Sequence, residues 1–255
     1  MPLNSPTAGF SLVELAIVLV VASLLATSLL SPLAAQSESR RMAETQRTLN
    51  EVRDALLGFA IAFGRLPCPA KSSATGIEAG GGAAACASGG SGTAAGYVPA
   101  ITLGLLPSDD QGYLLDAWGG RLRYAVSAGP ATAPTAFTDS NGMRTYWAGQ
   151  GGPPPSSLQI CNRALNIARA GTANADCAAA SALTQAAVAV IYSTGKNPGD
   201  AGRGPDAAAN RDGDRVFVAH EARSAAGEGG EFDDLLLWLP PGILYNRLVA
   251  AGRLP

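Results

Sequence analysis

Residues 15–30 read LAIVLVVASLLATSLL, an almost purely apolar run broken only by Ala, Ser and Thr. With its flanks the run approaches the roughly 20 residues that a helix needs to span hydrocarbon. Three readings compete for it. A secretory signal peptide would carry Lys or Arg ahead of the run and an A-x-A site behind it, and neither is present. A plain membrane anchor needs no particular residue at its start. Glu14 favours a third reading, because a carboxylate in hydrocarbon is costly, about 3 kcal/mol for Asp at a helix centre on insertion scales. An anchor gains nothing from that residue. A helix packed against copies of itself can use it, since a free amine on a neighbour neutralises the charge.

The segment Gly9-Phe10-Ser11-Leu12-Val13-Glu14-Leu15 resembles the prepilin signature of type IV pilins and type II secretion pseudopilins. The resemblance implies a leader over residues 1–9, cut after Gly9 by a prepilin peptidase. It implies methylation of the new amine on Phe10 and a role for Glu14 in aligning subunits. The implied location is the bacterial inner membrane, crossed once, with an exported periplasmic domain that enters a filament. Implied partners are prepilin peptidase, other pilin or pseudopilin subunits and an inner-membrane assembly platform. One departure stands out. Residues 1–9 lack the family's usual Lys or Arg, while Arg40 and Arg41 follow the run on the exported side. Positive-inside logic alone prefers the opposite orientation. Either translation starts upstream of Met1 or the export machinery overrides the bias.

Helical pattern continues past the run. Pro32 predicts a kink or a freed carbonyl, and pilin helices often carry a proline near this depth. Met42, Leu49, Val52, Leu56, Phe59 and Phe63 then recur at spacings of three, four and seven, with Arg47, Glu51, Arg53 and Asp54 on other faces. The expected organisation is a leader (1–9), a transmembrane and assembly helix (10–35), an amphipathic continuation (36–63) and a disulfide-bonded globular domain (64–255). The two helical parts together would measure about 80 Å at 1.5 Å per residue. Gly64, Pro67 and Pro69 end the helix. Residues 71–96 are nearly all Ala, Gly, Ser and Thr, a surface loop where pilins carry their variable αβ-loop.

The segment Asp116-Ala117-Trp118-Gly119-Gly120-Arg121-Leu122-Arg123-Tyr124 resembles in part the D-P-W-G-N-x-x-x-Y stretch of major pseudopilins, with Ala117 for Pro and Gly120 for Asn. It reads as a glycine turn feeding a strand over residues 122–127, with Leu122, Tyr124 and Val126 on one face. Further strands are expected at 187–193, 215–219 and 232–238. Pro240, Pro241 and Gly252 frame a closing helix. The fold class is α+β: a long N-terminal helix packed on a small antiparallel sheet of three or four strands, pilin-like.

The cysteines are Cys68, Cys86, Cys161 and Cys177, with no C-x-x-C pair and one distant histidine, His220. Two local disulfides, Cys68–Cys86 and Cys161–Cys177, are the simplest of three possible pairings, each stabilising by about 3 kcal/mol through loop closure. Oxidised pairs imply an exported domain. Asp206, Asn210, Asp212 and Asp214 lie in the Gly-rich stretch 200–214. They are candidate calcium ligands, since major pseudopilins bind calcium in a loop of this kind, although Asx-turns explain them equally well. No other cofactor is expected.

A net charge of −2 offers no basic footprint for nucleic acid. Enzyme signatures are scarce. G-x-S-x-G and P-loop spacings are missing, and adjacent Asp233 and Asp234 would point to opposite faces of a strand. Both are expected at the surface or in turns. Trp118, Trp147 and Trp238 read as core residues. The expected function is a structural subunit of a type IV pilus or type II secretion pseudopilus, not an enzyme. The alternative is a minor pilin at a filament tip that acts as an adhesion or binding module.

Overall fold

The computed structural model describes residues 11–71, 75–80, 86, 93–106, 109–172, 175–196, 204–223 and 230–255, and leaves aside the side chains of 25–34 and 93. In chain order the elements are α1 (Leu12–Phe63), β1 (Thr93–Tyr97), α2 (Ala100–Leu103), β2 (Arg123–Ser127), α3 (Gly142–Gln150), β3 (Leu158–Cys161) and β4 (Ile167–Ala168). They continue with β5 (Asp176–Cys177), β6 (Ala182–Ala187), β7 (Ala189–Ser193), α4 (Pro205–Ala209), β8 (Val216–Val218), β9 (Leu235–Leu239) and α5 (Pro241–Ala250). The chain divides into two units, Met1–Ala43 and Glu44–Pro255.

In the first unit the described structure is helix, and α1 runs through Pro32 without ending there. Leu and Ala are its commonest residues, both good helix formers. Leu12, Val13, Leu15, Ile17 and Leu24 are exposed.

In the second unit α1 buries Thr45, Leu49, Val52, Leu56 and Ala60 at spacings of three and four, a stripe widened by Leu57 and Phe59. Phe63 departs from the expectation. It is 58% exposed and packs on Phe59 with ring centroids 4.4 Å apart. The helix has no further turn to cover it, because Gly64 adopts a left-handed φ of 69° and its N–H closes on the Ala60 carbonyl at 2.8 Å. The carbonyls of Ile61 and Ala62 would be orphaned by that ending. Arg253 near the other end of the chain satisfies them, donating from Nε to Ile61 and from Nη2 to Ala62.

The principal sheet has the order β1-β2-β7-β9 and is antiparallel throughout. Its residues alternate between two buried faces. Tyr124, Val126, Ala189 and Ile191 join Leu49, Val52 and Leu56 of α1 in one cluster. Ala125, Val190 and Tyr192 turn the other way, onto Leu158, Ile160 and Phe217 of a second sheet ordered β6-β3-β8. Covered on both faces, β2 and β7 carry unbroken apolar runs instead of polar alternation.

The strand count and pairing correct the sequence reading. Among the described residues there are nine strands in three sheets, not three or four in one. One pair, β3 with β8, is parallel, with Ile160 opposite Phe217. The long stretch between those strands supplies the crossover that a parallel pair requires. The run expected as one strand at 187–193 is a corner. Ala187 ends β6, Ala189 begins β7, and Val188 between them donates to the Leu239 carbonyl at 2.9 Å. Trp118, Trp147 and Trp238, expected in the core, are half-buried, the last two packed against its edge.

Two disulfides, Cys68–Cys86 and Cys161–Cys177, close loops of 18 and 16 residues in sequence separation. The second joins β3 to β5 beside a small cluster containing Ile167, Val216, Val218 and Phe232.

Asp116 organises the turn ahead of β2. Its Oδ1 accepts the N–H groups of Trp118 and Gly120 at 2.9 and 2.7 Å, and its Oδ2 accepts the Ser193 hydroxyl. A Cβ at position 120 would stand 2.9 Å from Asp116 Oδ2. That crowding gives Gly120 a local reason at the position where the pseudopilin-like stretch has Asn.

Candidate functional site

Ser11 precedes α1 as its N-cap. Its Oγ accepts the N–H of Glu14 at 3.1 Å, and its own N–H donates to Glu14 Oε2 at 3.4 Å. This reciprocal pair is a capping box, which satisfies two of the donors that a helix start leaves open. It also sets a carboxylate over the positive end of the helix dipole. Beside it, Leu12, Val13, Ala16, Ile17, Val20 and Val21 line a shallow apolar groove of about 410 Å³. An exposed carboxylate thus stands next to a continuous exposed apolar face. Gly9 and Phe10, the expected processing positions, lie outside the described residues. Among the described residues no helix is long and apolar enough to cross a membrane. The run at 15–30 extends into 25–34, whose side chains are not described.

The four calcium candidates separate into different networks. Asp206 binds Arg223 at 2.7 Å, His220 at 3.1 Å and the Ala164 N–H at 2.7 Å. Burial opposes its ionisation, yet those three donors hold its carboxyl below the usual carboxylate range. Asn210 donates to Asp234 Oδ2 at 2.8 Å and exchanges bonds with the backbone of Val218. Only Asp212 and Asp214 meet: Asp214 donates its N–H to Asp212 Oδ1 at 3.0 Å and accepts the N–H groups of Gly171 and Val216. Among the described residues no three His, Cys, Asp or Glu side chains are grouped to hold a metal ion.

The Asp212–Asp214 pair has a pH consequence. Partial burial first, then the neighbouring carboxylate, push Asp212 up to about 6, and burial raises Asp214 as well. The folded chain therefore binds more protons than the unfolded one between the ordinary value of 3.8 and about 6. Stability falls as pH rises through that window. Asp212→Asn keeps the acceptor for Asp214 and removes one charge. It is expected to raise the melting temperature at pH 7 relative to the parent and to leave it unchanged at pH 4. Asp212 is exposed, so the gain is modest. Thermal unfolding of both proteins at the two pH values checks this; equal melting temperatures at pH 7 would remove the repulsion from the account.

Asp233 and Asp234, expected at the surface or in turns, stand in a loop segment but not at the surface. Both are buried ahead of β9, where Asp233 Oδ2 accepts the Lys196 N–H at 2.9 Å and Asp234 accepts from Asn210. Through these bonds they brace loops. A buried ion pair was not legible in the sequence. Arg65 grips Glu78 through Nη1 and Nη2, each at 2.8 Å, and Glu78 Oε2 also accepts the Cys68 N–H at 3.1 Å.

Comparison with known proteins adds one match. Residues 4–30 match the family described as the prokaryotic N-terminal methylation motif, the signature of type IV pilins and pseudopilins. No curated protein and no solved structure matches the chain. The chain thus carries a pilin-type N-terminus ahead of an α+β head that has no matching structural neighbour.

Proposed function

We propose that this chain is a structural subunit of a type IV pilus or type II secretion pseudopilus. In this reading a prepilin peptidase cuts after Gly9, the amine of Phe10 is methylated, and subunits polymerise through α1. The observation that carries it is the methylation motif over residues 4–30, followed by a helix start that presents Glu14 beside an exposed apolar face.

The physical logic has two stages. Before assembly, residues 15–30 sit in the inner membrane, crossing it once, because full burial of each Leu, Ile or Val is worth about 1.5–3 kcal/mol. During assembly the lipid contacts are exchanged for those of neighbouring helices, which are equally apolar, so hydrophobicity alone gives no preference for the filament. A charge pair between Glu14 and the amine of Phe10 on an adjacent subunit supplies that preference and the register. The head, with Cys68–Cys86 and Cys161–Cys177 oxidised, suits an exported, oxidising compartment. Prepilin peptidase, sister subunits and an inner-membrane assembly platform are the partners this requires.

Mass spectrometry of the N-terminus, from cells with and without prepilin peptidase, tests the reading. The expected product with the peptidase begins at N-methylated Phe10, and without it the leader remains. A mature chain beginning beyond residue 30 would show a cleaved export signal instead and would sink the proposal.

A further inference from the structure

The head carries a groove that the proposed assembly does not use. It lies between α3 and the loop preceding it and encloses about 490 Å³, within the range of small-ligand sites. One wall is a single helical face, with Gly142, Thr145, Tyr146 and Gly149 at i, i+3, i+4 and i+7. The facing wall includes Pro134, Thr135 and Asp139.

That loop is held in place. Phe137 and Met143, on either side of its last turn, are fully buried in the main core. The N–H groups of Thr138 and Asp139 both close on the Thr135 carbonyl, at 2.9 and 2.8 Å, and Gly142 closes on the Asp139 carbonyl at 2.9 Å. At Gly142 a Cβ would stand 2.6 Å from the Ala136 carbonyl oxygen, so the helix meets the loop as closely as backbone allows. A groove fixed in this way loses little entropy on binding a ligand.

The lining selects a chemistry. It presents the hydroxyls of Thr135, Ser140, Thr145 and Tyr146 and the amide of Gln150, groups that donate and accept alike. No Lys, Arg or His lines it, which disfavours phosphate, sulfate and carboxylate ligands. Its one carboxylate, Asp139, already accepts the Thr135 hydroxyl. Leu, Ile, Val and Phe are missing from the lining, which disfavours an acyl chain. A neutral sugar matches this set, because its hydroxyls also donate and accept and its C–H faces can stack on a tyrosine ring.

We propose that the groove between α3 and the 132–140 loop binds a neutral saccharide of one or two rings. Tyr146 supplies the stacking surface, and Thr145, Gln150 and Asp139 supply hydrogen bonds. This adds a binding activity to the structural role and does not depend on processing at Gly9.

Saturation-transfer NMR on the full chain in zwitterionic detergent tests it, since a glycoside detergent would itself compete. The probes are glucose, galactose, mannose, N-acetylglucosamine, maltose and lactose. Transfer to at least one of them is expected, with affinity reduced at least tenfold in Tyr146→Ala and in Gly149→Trp. A Cβ at Gly149 meets nothing within 4 Å, so the indole has room to occupy the groove with the melting temperature preserved. The proposal is overturned if none of the six sugars shows transfer, if a folded Gly149→Trp chain binds as the parent does, or if glucuronate or spermidine displaces the bound sugar from the groove by binding there more tightly.

Discussion

A Glu14→Gln subunit is expected to lose its leader normally and yet to yield about a hundredfold less filament, or worse. Glutamine retains an oxygen that can accept the Ser11 N–H, so the capping box at the start of α1 can persist. Only the charge is removed. In the proposed filament that change leaves the amine of a neighbouring Phe10 without a counter-ion in an apolar surround. Breaking such a pair costs about 3–5 kcal/mol, and each 1.4 kcal/mol is tenfold. Ser11→Ala makes the complementary test. It removes the cap, worth about 1 kcal/mol, and keeps the carboxylate, so filament yield should fall by tenfold at most. The measurement is sheared filament against membrane-held subunit, by immunoblot, for parent and both variants. Parent-level filament from Glu14→Gln would show that the charge aligns nothing.

Glu78→Ala should destabilise the head by about 3–5 kcal/mol, the usual consequence of stranding one partner of a buried ion pair. The Arg65 and Glu78 side chains are only 6% and 8% exposed. Arg65 cannot shed its proton to escape. Beyond Glu78, its Nη1 reaches among the described residues the Leu66 carbonyl at 3.2 Å, with its guanidinium 5.0 Å from the Phe59 ring centre. Glu78 meanwhile receives the Cys68 N–H, and its own N–H donates to Thr102 Oγ1 at 2.9 Å. The Glu78 side chain thus ties the residues just past α1 to the disulfide loop, while its backbone N–H ties them to α2. Burial opposes the charge on Glu78, but Arg65 and Cys68 hold its carboxyl below the ordinary 4.5. The unfolded chain therefore binds the proton first as pH falls. The pair's stabilisation is complete above that ordinary value and fades as pH drops through the lower folded one. Chemical unfolding of the full chain at pH 7 and pH 3 checks both statements: a large gap between parent and variant at pH 7, narrowing at pH 3. A gap at pH 7 below about 1 kcal/mol, the worth of an exposed pair, would mean that water reaches Arg65.

What could be read in advance was whatever repeats or punctuates locally. The stripe at Leu49, Val52 and Leu56, the shared face of Leu122, Tyr124 and Val126, and the proline-started α5 that stops ahead of Gly252 are all periodic or capped signals. Ser11 and Glu14 stand at capping-box spacing, but Glu14 is conspicuous through its cost in hydrocarbon and the prepilin likeness, not as a cap. Other features lacked a local signal. Arg65 finds Glu78 inside a stretch so rich in Ala, Gly and Ser that it reads as a surface loop. Residues 216–218 look the same in a parallel or an antiparallel pair, and only the tertiary partner decides. Val188 sits in the middle of an apolar run, and nothing in AAVAVIYS marks it as a corner between two sheets. Asp233 and Asp234 look like surface residues by type, and their burial rests on donors from Lys196 and Asn210, far off in sequence.

The closure of α1 by Arg253 has a consequence for timing. The carbonyls of Ile61 and Ala62 wait for a residue 192 and 191 positions later, and Leu244, Leu248 and Leu254 complete the same cluster as Leu49 and Val52. Under the proposed export, a chain that threads outward can complete the burial of the inner face of α1 only when residues 244–254 have emerged. Contacts so distant along the chain make for slow, all-or-none closure. Until that moment the half-translocated head offers bare hydrophobic surface to whatever holdase attends the exit.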